Sequence, residues 1–210
     1  MTDSPLICSM INSLSALSGW EVFASVLGIG YIIFAAKESQ WCWPLAFLST
    51  LIYTVIFWKG QLPMQAMLNF YYMAMAIYGY KLWQKQGEAN QTVVINRLSW
   101  AQQFAFFILG SFLTFVTANY LISIGASQSP FLDAGVTVFS VLNTILMARK
   151  VLQNWLYWIV IDAAAIVLYA QTGYYATIVM FAIYLVLALI GYISWMKLYH
   201  RDYTIPNTQY

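Results

Sequence analysis

Seven apolar runs follow one another along the chain: Gly19–Ala36, Trp41–Trp58, Leu62–Trp83, Trp100–Ile124, Phe131–Ala148, Leu152–Gln171 and Tyr174–Leu198. Each is close to the roughly 20 residues needed to cross a bilayer. None alternates polar and apolar residues with the period of a barrel strand, and in lipid only helices or closed barrels satisfy their own backbone. The pattern therefore predicts an all-α polytopic membrane protein in which residues 1–210 form a single membrane domain. The one substantial polar linker, Gln84–Ser99, follows the third run.

Composition agrees with that reading. Hydrophobic residues make up 62% and charged residues 8% of the 210 positions, against about 25% charged in a soluble domain. A net charge of +2 with no clustered basic face excludes a nucleic-acid partner. The partner surface is the lipid bilayer. Residues Met1–Ser18 hold no Lys or Arg, so they lack the basic region of a cleavable signal and are expected to stay on the mature protein. With seven spans, Lys37, Lys81, Lys85, Arg97, Arg149, Lys150, Lys197 and Arg201 fall on one side and Lys59 on the other. The positive-inside rule then makes the C-terminus cytoplasmic and the N-terminus external, in a bacterial-type inner membrane. Cys8 and Cys42 fall on opposite sides and cannot pair. Trp20, Trp41, Trp43, Trp58, Trp83, Trp100 and Trp195 lie near span ends and read as interfacial anchors.

An internal repeat is visible. Tyr72, Gly79-Tyr80 and Trp83 match Tyr184, Gly191-Tyr192 and Trp195 at one spacing; Glu21 matches Asp133, and Trp41 is read as the match of Trp155. An even number of crossings separates the first and fifth spans, so two three-helix units, 19–83 and 131–198, run in the same direction. The fourth span, 100–124, connects them. This 3+1+3 plan is that of SWEET-type carriers, and transporters commonly bind their cargo near the midplane at a repeat interface.

Asp162 is the one acidic residue deep in a span, where a carboxylate costs roughly 2.5–3.5 kcal/mol and should face a cavity or a partner. It is either a hydrogen-bonded residue joining helices or an anionic binding group. Trp155 and Trp158 share its helical face, and an anion beneath aromatic rings receives a flat cation well. Gln65, Asn69 and Tyr72 form a polar stripe on the third span; Ser49, Thr50 and Tyr53 on the second, Ser140 and Asn143 on the fifth and Tyr184 on the seventh are further candidates. Small polar residues of this kind also bridge helices.

The stretch Asn154-Trp-Leu-Tyr-Trp-Ile-Val-Ile-Asp162, with its two tryptophans and closing Asp, resembles the signature of the Pnu vitamin transporters. Ala148-Arg-Lys150, Ile77-Tyr-Gly79 with Trp83, and Gly191 with Trp195 extend the likeness over most of the chain. The resemblance implies facilitated diffusion of a vitamin, trapped afterwards by phosphorylation, and often a homotrimer. Where the nicotinamide riboside branch has Asn at the end of the signature, Gln in the third span and Asn in the second, this chain has Asp162, Asn69 and Ser49. An acidic Asp162 favours a permanent cation, so thiamine is the expected cargo, nicotinamide riboside the alternative and riboflavin third.

An enzyme is not expected. Asp162 lacks a second apposed carboxylate, and His200, the one histidine, lies beyond the last span. No metal cluster or phosphate loop is visible, and no cofactor is implied. A receptor without transport activity, or a channel subunit, could use the same helices.

Overall fold

The computed structural model describes residues 19–59, 63–88, 95–172 and 175–204. They form seven helices: α1 (Gly19–Ala36), α2 (Cys42–Lys59), α3 (Pro63–Glu88), α4 (Trp100–Ser123), α5 (Pro130–Ala148), α6 (Gln153–Thr172) and α7 (Tyr175–Thr204). Residues 1–18, with Cys8, and the middle of the polar linker, 89–94, lie outside the described residues. Local chemistry sets several ends. Ser99 caps α4 in a capping box with Gln102, and Pro130, with no amide hydrogen to lose, starts α5.

Six of the helices are long and apolar enough to cross a membrane. At 26 residues α3 has the length but not the composition, because Gln65, Asn69, Lys81, Gln84 and Lys85 interrupt it. α3 and α7 also run past the apolar segments expected from sequence, through the polar residues after Trp83 and Leu198.

The packing closes a ring: α1 on α2, α2 on α3, α3 on α5, α5 on α6, α6 on α7, and α7 back on α1. Among the described residues α4 packs its backbone against α5 alone, where Phe139 lies over Gly110. Side chains of α4 also reach α6, with Phe106 stacked on Tyr157 at 5.0 Å. The other faces of α4 are apolar and exposed, Trp100, Phe104, Phe112 and Phe115 among them, as lipid requires. The strand-like segment before α4 is tied to the α5–α6 turn: Asn96 N–H donates to Lys150 O at 2.9 Å, and Leu152 N–H to Asn96 O at 2.8 Å.

At the end of the ring where α1 and α5 finish, four tryptophans form the core. Trp43 and Trp83 meet edge to face at 5.3 Å, Trp83 and Trp195 at 6.2 Å, and Trp195 and Trp155 edge to face at 5.5 Å. Trp83 Nε1 donates to Ala148 O at 2.9 Å, and Trp195 Nε1 to Ala35 O at 3.0 Å. Trp43, Trp83 and Trp195 are thus not interfacial anchors. They are 2%, 4% and 0% exposed, since each faces neighbouring helices rather than lipid. Trp20, Trp41, Trp58 and Trp100 are exposed, as an anchor must be.

Glycines admit two of these rings. A Cβ on Gly79 would clash with the Trp43 ring, and one on Gly191 would lie 2.6 Å from Trp155. Both glycine–tryptophan contacts recur after 112 residues, the separation of Glu38 from Lys150. The counterpart of Trp155 is therefore Trp43, buried on its glycine, and not the exposed Trp41.

Replacing Gly79 or Gly191 by Ala should force a rigid indole to move and cost about 1–3 kcal/mol. Gly135→Ala, whose Cβ would meet only Thr114 Cγ2 at ordinary contact distance, 3.7 Å, should be neutral or slightly stabilising. Thermal unfolding of the detergent-purified variants checks the contrast; equal melting temperatures for all three would show that the rings do not depend on the glycines.

Candidate functional site

Away from the tryptophans, polar side chains of different helices meet within the ring. On α1 and α2, Ser25 Oγ and Tyr53 Oη lie 2.6 Å apart, and Ser49 Oγ donates to Ala24 O at 2.8 Å. Tyr184 of α7 brings its hydroxyl to the same place: a Cβ on Gly28 would be 3.2 Å from Tyr184 Oη and 3.4 Å from Ser49 Oγ. Gly28 is thus a point of close approach where three helices converge. Tyr184 is also within electrostatic reach of Tyr53 and of Asp162 on α6. Asp162 stands at the middle of its helix, 3% exposed.

A second group lies across the ring. Tyr72 of α3 lies beside Ser140 of α5 and is close to Tyr71 and Tyr169, and Tyr31 of α1 is near Tyr72. The two groups are related. Tyr72 and Tyr184 stand 112 positions apart, as do Gly28 and Ser140. Each tyrosine therefore approaches the equivalent position of the opposite half.

Asp162 forms no salt bridge with a described Lys, Arg or His. A buried carboxylate without a cation is costly unless something else compensates it, and here Tyr184 of α7 is the polar group within its electrostatic reach. The arrangement offers one carboxylate, able to carry a negative charge opposite a cation, and hydroxyls that both donate and accept. That chemistry suits a cation bearing hydroxyl or amide groups. No group of three or more His, Cys, Asp or Glu able to hold a metal occurs among the described residues.

Other sequence candidates lie elsewhere. Gln65 is exposed, and Asn69 Nδ2 donates to Gln65 O of its own helix at 2.9 Å, so the α3 stripe is divided and only Tyr72 joins the polar groups. Thr50 bonds back to Ala46 O at 2.8 Å. Asn143, fully buried, donates to Asn154 O at 2.9 Å, and the Oδ1 atoms of both asparagines have no hydrogen-bond partner. Trp155 belongs to the tryptophan core, and its Nε1, like that of Trp43, has no partner. Trp158 is half-buried against the same core, between Trp155 and Asp162 in sequence.

Sequence reasoning missed Ser25, Gly28, Tyr31 and Tyr169. The repeat spacing applied to Ser140 would have pointed to Gly28; the others carry no signal beyond being polar or aromatic in an apolar helix. A shallow groove along α7, lined by Ile178, Val179, Ala182, Ile183, Val186 and Leu187, offers no polar side chain and carries exposed Ile183 and Val186.

Comparisons with known proteins give one consistent answer. The family model described as nicotinamide mononucleotide transporter matches residues 18–197. The nicotinamide riboside transporter PnuC of Escherichia coli (strain K12) is 26% identical over 206 residues, covering 86% of each chain. The riboflavin/roseoflavin transporter RibM of Streptomyces davaonensis is 26% identical over 185 residues, covering 87% of this chain and 86% of its own. Among solved structures, the crystal structure of the vitamin B3 transporter PnuC superposes with a TM-score of 0.72 at 23% identity, covering 94% of this chain and 91% of that one. The last likeness supports the all-helical fold. A family match across nearly the whole ring means that this chain belongs to the nicotinamide mononucleotide transporter family, the family of PnuC.

Proposed function

We propose that this protein is a carrier for uptake of a cationic vitamin across the inner membrane, with nicotinamide riboside as its cargo. The observation that carries the proposal is Asp162, buried at mid-helix without a described cationic partner and within electrostatic reach of Tyr184 on α7, which itself approaches Gly28 and Ser49 across the ring. Nicotinamide riboside carries a permanent positive charge on a flat ring, for Asp162 and Trp158, and ribose hydroxyls, for the Tyr53, Tyr184 and Ser49 group. The relatives named above support this cargo over thiamine, which none of them is named for. Thiamine stays as a second reading because Asp162, Asn69 and Ser49 depart from the nicotinamide riboside pattern and a fixed anion suits any permanent cation. Riboflavin, neutral and larger, makes least use of Asp162.

The helices are proposed to form two parallel three-helix repeats, 19–83 and 131–198, joined by α4. Supporting this are the contacts that recur at 112 residues and the position of α4 outside the ring. The basic residues at one end then make the C-terminus cytoplasmic.

Isothermal titration of the purified protein should give nicotinamide riboside the tightest binding, thiamine weaker and riboflavin weakest. Asp162→Asn keeps size and hydrogen bonding but removes the charge, so it should weaken binding of either cation by several-fold to about a hundredfold. Equal affinities in wild type and variant would make Asp162 a structural residue. Tighter thiamine binding in the wild type would reverse the cargo assignment.

Reporter fusions at Tyr210 and in the 125–130 turn should report opposite sides of the membrane, the first cytoplasmic. The same side for both would overturn the seven-span topology and the parallel repeats.

A further inference from the structure

Glu38 and Lys150 occupy equivalent places in the α1–α2 and α5–α6 turns, 112 residues apart, and their side chains meet: Lys150 Nζ lies 2.8 Å from Glu38 Oε1. Lys150 is 2% exposed and Glu38 16%. The ammonium also sits 4.2 Å from the centre of the Trp83 ring, so one cation binds a carboxylate of the α1–α2 turn and an aromatic face of α3. Burial pulls the Lys150 ammonium below its ordinary value, and the bond to Glu38 pushes it back. Both residues have left-handed backbones, φ 57° at Glu38 and 53° at Lys150. A side chain other than glycine takes that conformation at a cost and keeps it only where its surroundings enforce it.

The pair does not act alone. The Trp83 bond to Ala148 and the Trp195 bond to Ala35 join the same two halves at this end. Toward the other end, the hydrogen bonds of Ser25 with Tyr53 and of Ser129 with Gln171 each stay within one half. Midway along the ring Tyr71 Oη donates to Val141 O at 2.9 Å, but the one ion pair between the halves among the described residues lies where the basic residues gather. Cys42, fully buried beside Trp43 in the tryptophan core, lies within electrostatic reach of both Lys150 and Tyr31.

We propose that the Glu38–Lys150 pair is the latch of a gate at this end of the ring, which must separate and hydrate before cargo can pass between the interior and the adjoining solution. An ion pair suits that task. Desolvating two charges consumes most of their attraction, so a buried pair adds little net stability while it is closed and loses little when water enters. Its geometry is nevertheless strict, which makes opening a switch between two states rather than a gradual loosening. The proposal rests on the carrier reading for its purpose, and on the contacts above for its place.

Cys42 serves as a native reporter. In a Cys8→Ser background it is the one remaining thiol of the chain, so maleimide labelling of the full-length protein in nanodiscs reads access past the latch. Glu38→Gln and Lys150→Met each remove one charge at nearly constant size and should speed Cys42 labelling at least about tenfold, because the remaining charge seeks water. The exchanged pair, Glu38→Lys with Lys150→Glu, should return labelling toward the wild-type rate. Nicotinamide riboside affinity in detergent should stay within about threefold, since neither residue touches the polar groups of the interior, whereas counterflow in liposomes should fall for both single variants. Should either single variant fail to fold, Glu38→Asp keeps the charge but shortens the reach and should still raise labelling. Wild-type labelling rates in every folded variant would overturn the latch, and so would faster labelling with undiminished counterflow. If wild type itself fails to exchange labelled for unlabelled vitamin, the carrier reading fails, while the labelling comparison still decides whether the pair closes this end.

Discussion

Two indole N–H groups reach across the molecule in opposite directions, Trp83 to the last turn of α5 and Trp195 to the last turn of α1. In lipid there is no water to satisfy the carbonyls at a helix end, so each such bond replaces a cost of several kcal/mol. Because the two are reciprocal, neither half can shift at this end without leaving polar groups of both unpaired. Trp43 and Trp155 complete the layer, and Gly79 and Gly191 admit them by leaving a side chain's volume empty.

Closed in this conformation, that layer gives the rest of the ring its freedom. With one end held by aromatic packing and an ion pair, the interior can keep Asp162 buried without a described cationic partner, within electrostatic reach of Tyr184. The cost is unfavourable for stability alone, which is the physical ground for the binding role proposed for Asp162. Apolar α4, packed outside the ring, takes no part in that polar interior; its contacts with Phe139 and Tyr157 instead brace α5 and α6 from behind.

Much of this was legible in the sequence, for reasons that can be named. Spans are readable because lipid demands long apolar runs, and α1 has the bounds its apolar run suggests. The ends of α3 and α7 were not, because polar turns beyond the membrane look like loops. Trp83 and Trp195 read as anchors because a tryptophan at a span end has the same local sequence whether it faces lipid or another helix; the glycine four residues earlier was the available clue. The repeat was visible where Tyr, Gly and Trp recur together, but a second tryptophan two residues away drew the register to Trp41 instead of Trp43. Asp162 stood out because an isolated acid in a span is rare. Ser25 and Gly28 did not, since small residues in an apolar helix are ordinary. The split of Gln65 and Asn69 from Tyr72 followed from a bond that Asn69 makes within its own helix, which spacing cannot reveal.

In the proposed reading the chain moves a permanent cation past buried Asp162 by facilitated diffusion, driven by the membrane potential rather than by a coupling ion. Moving one charge through 100 mV is worth about 2.3 kcal/mol, enough for roughly 50-fold accumulation at equilibrium. Uptake of labelled nicotinamide riboside into proteoliposomes tests the claim most directly. It should saturate, rise with an inside-negative potassium diffusion potential, and ignore imposed proton and sodium gradients. Uptake that depends strictly on either gradient, or that takes no notice of the potential, would contradict it.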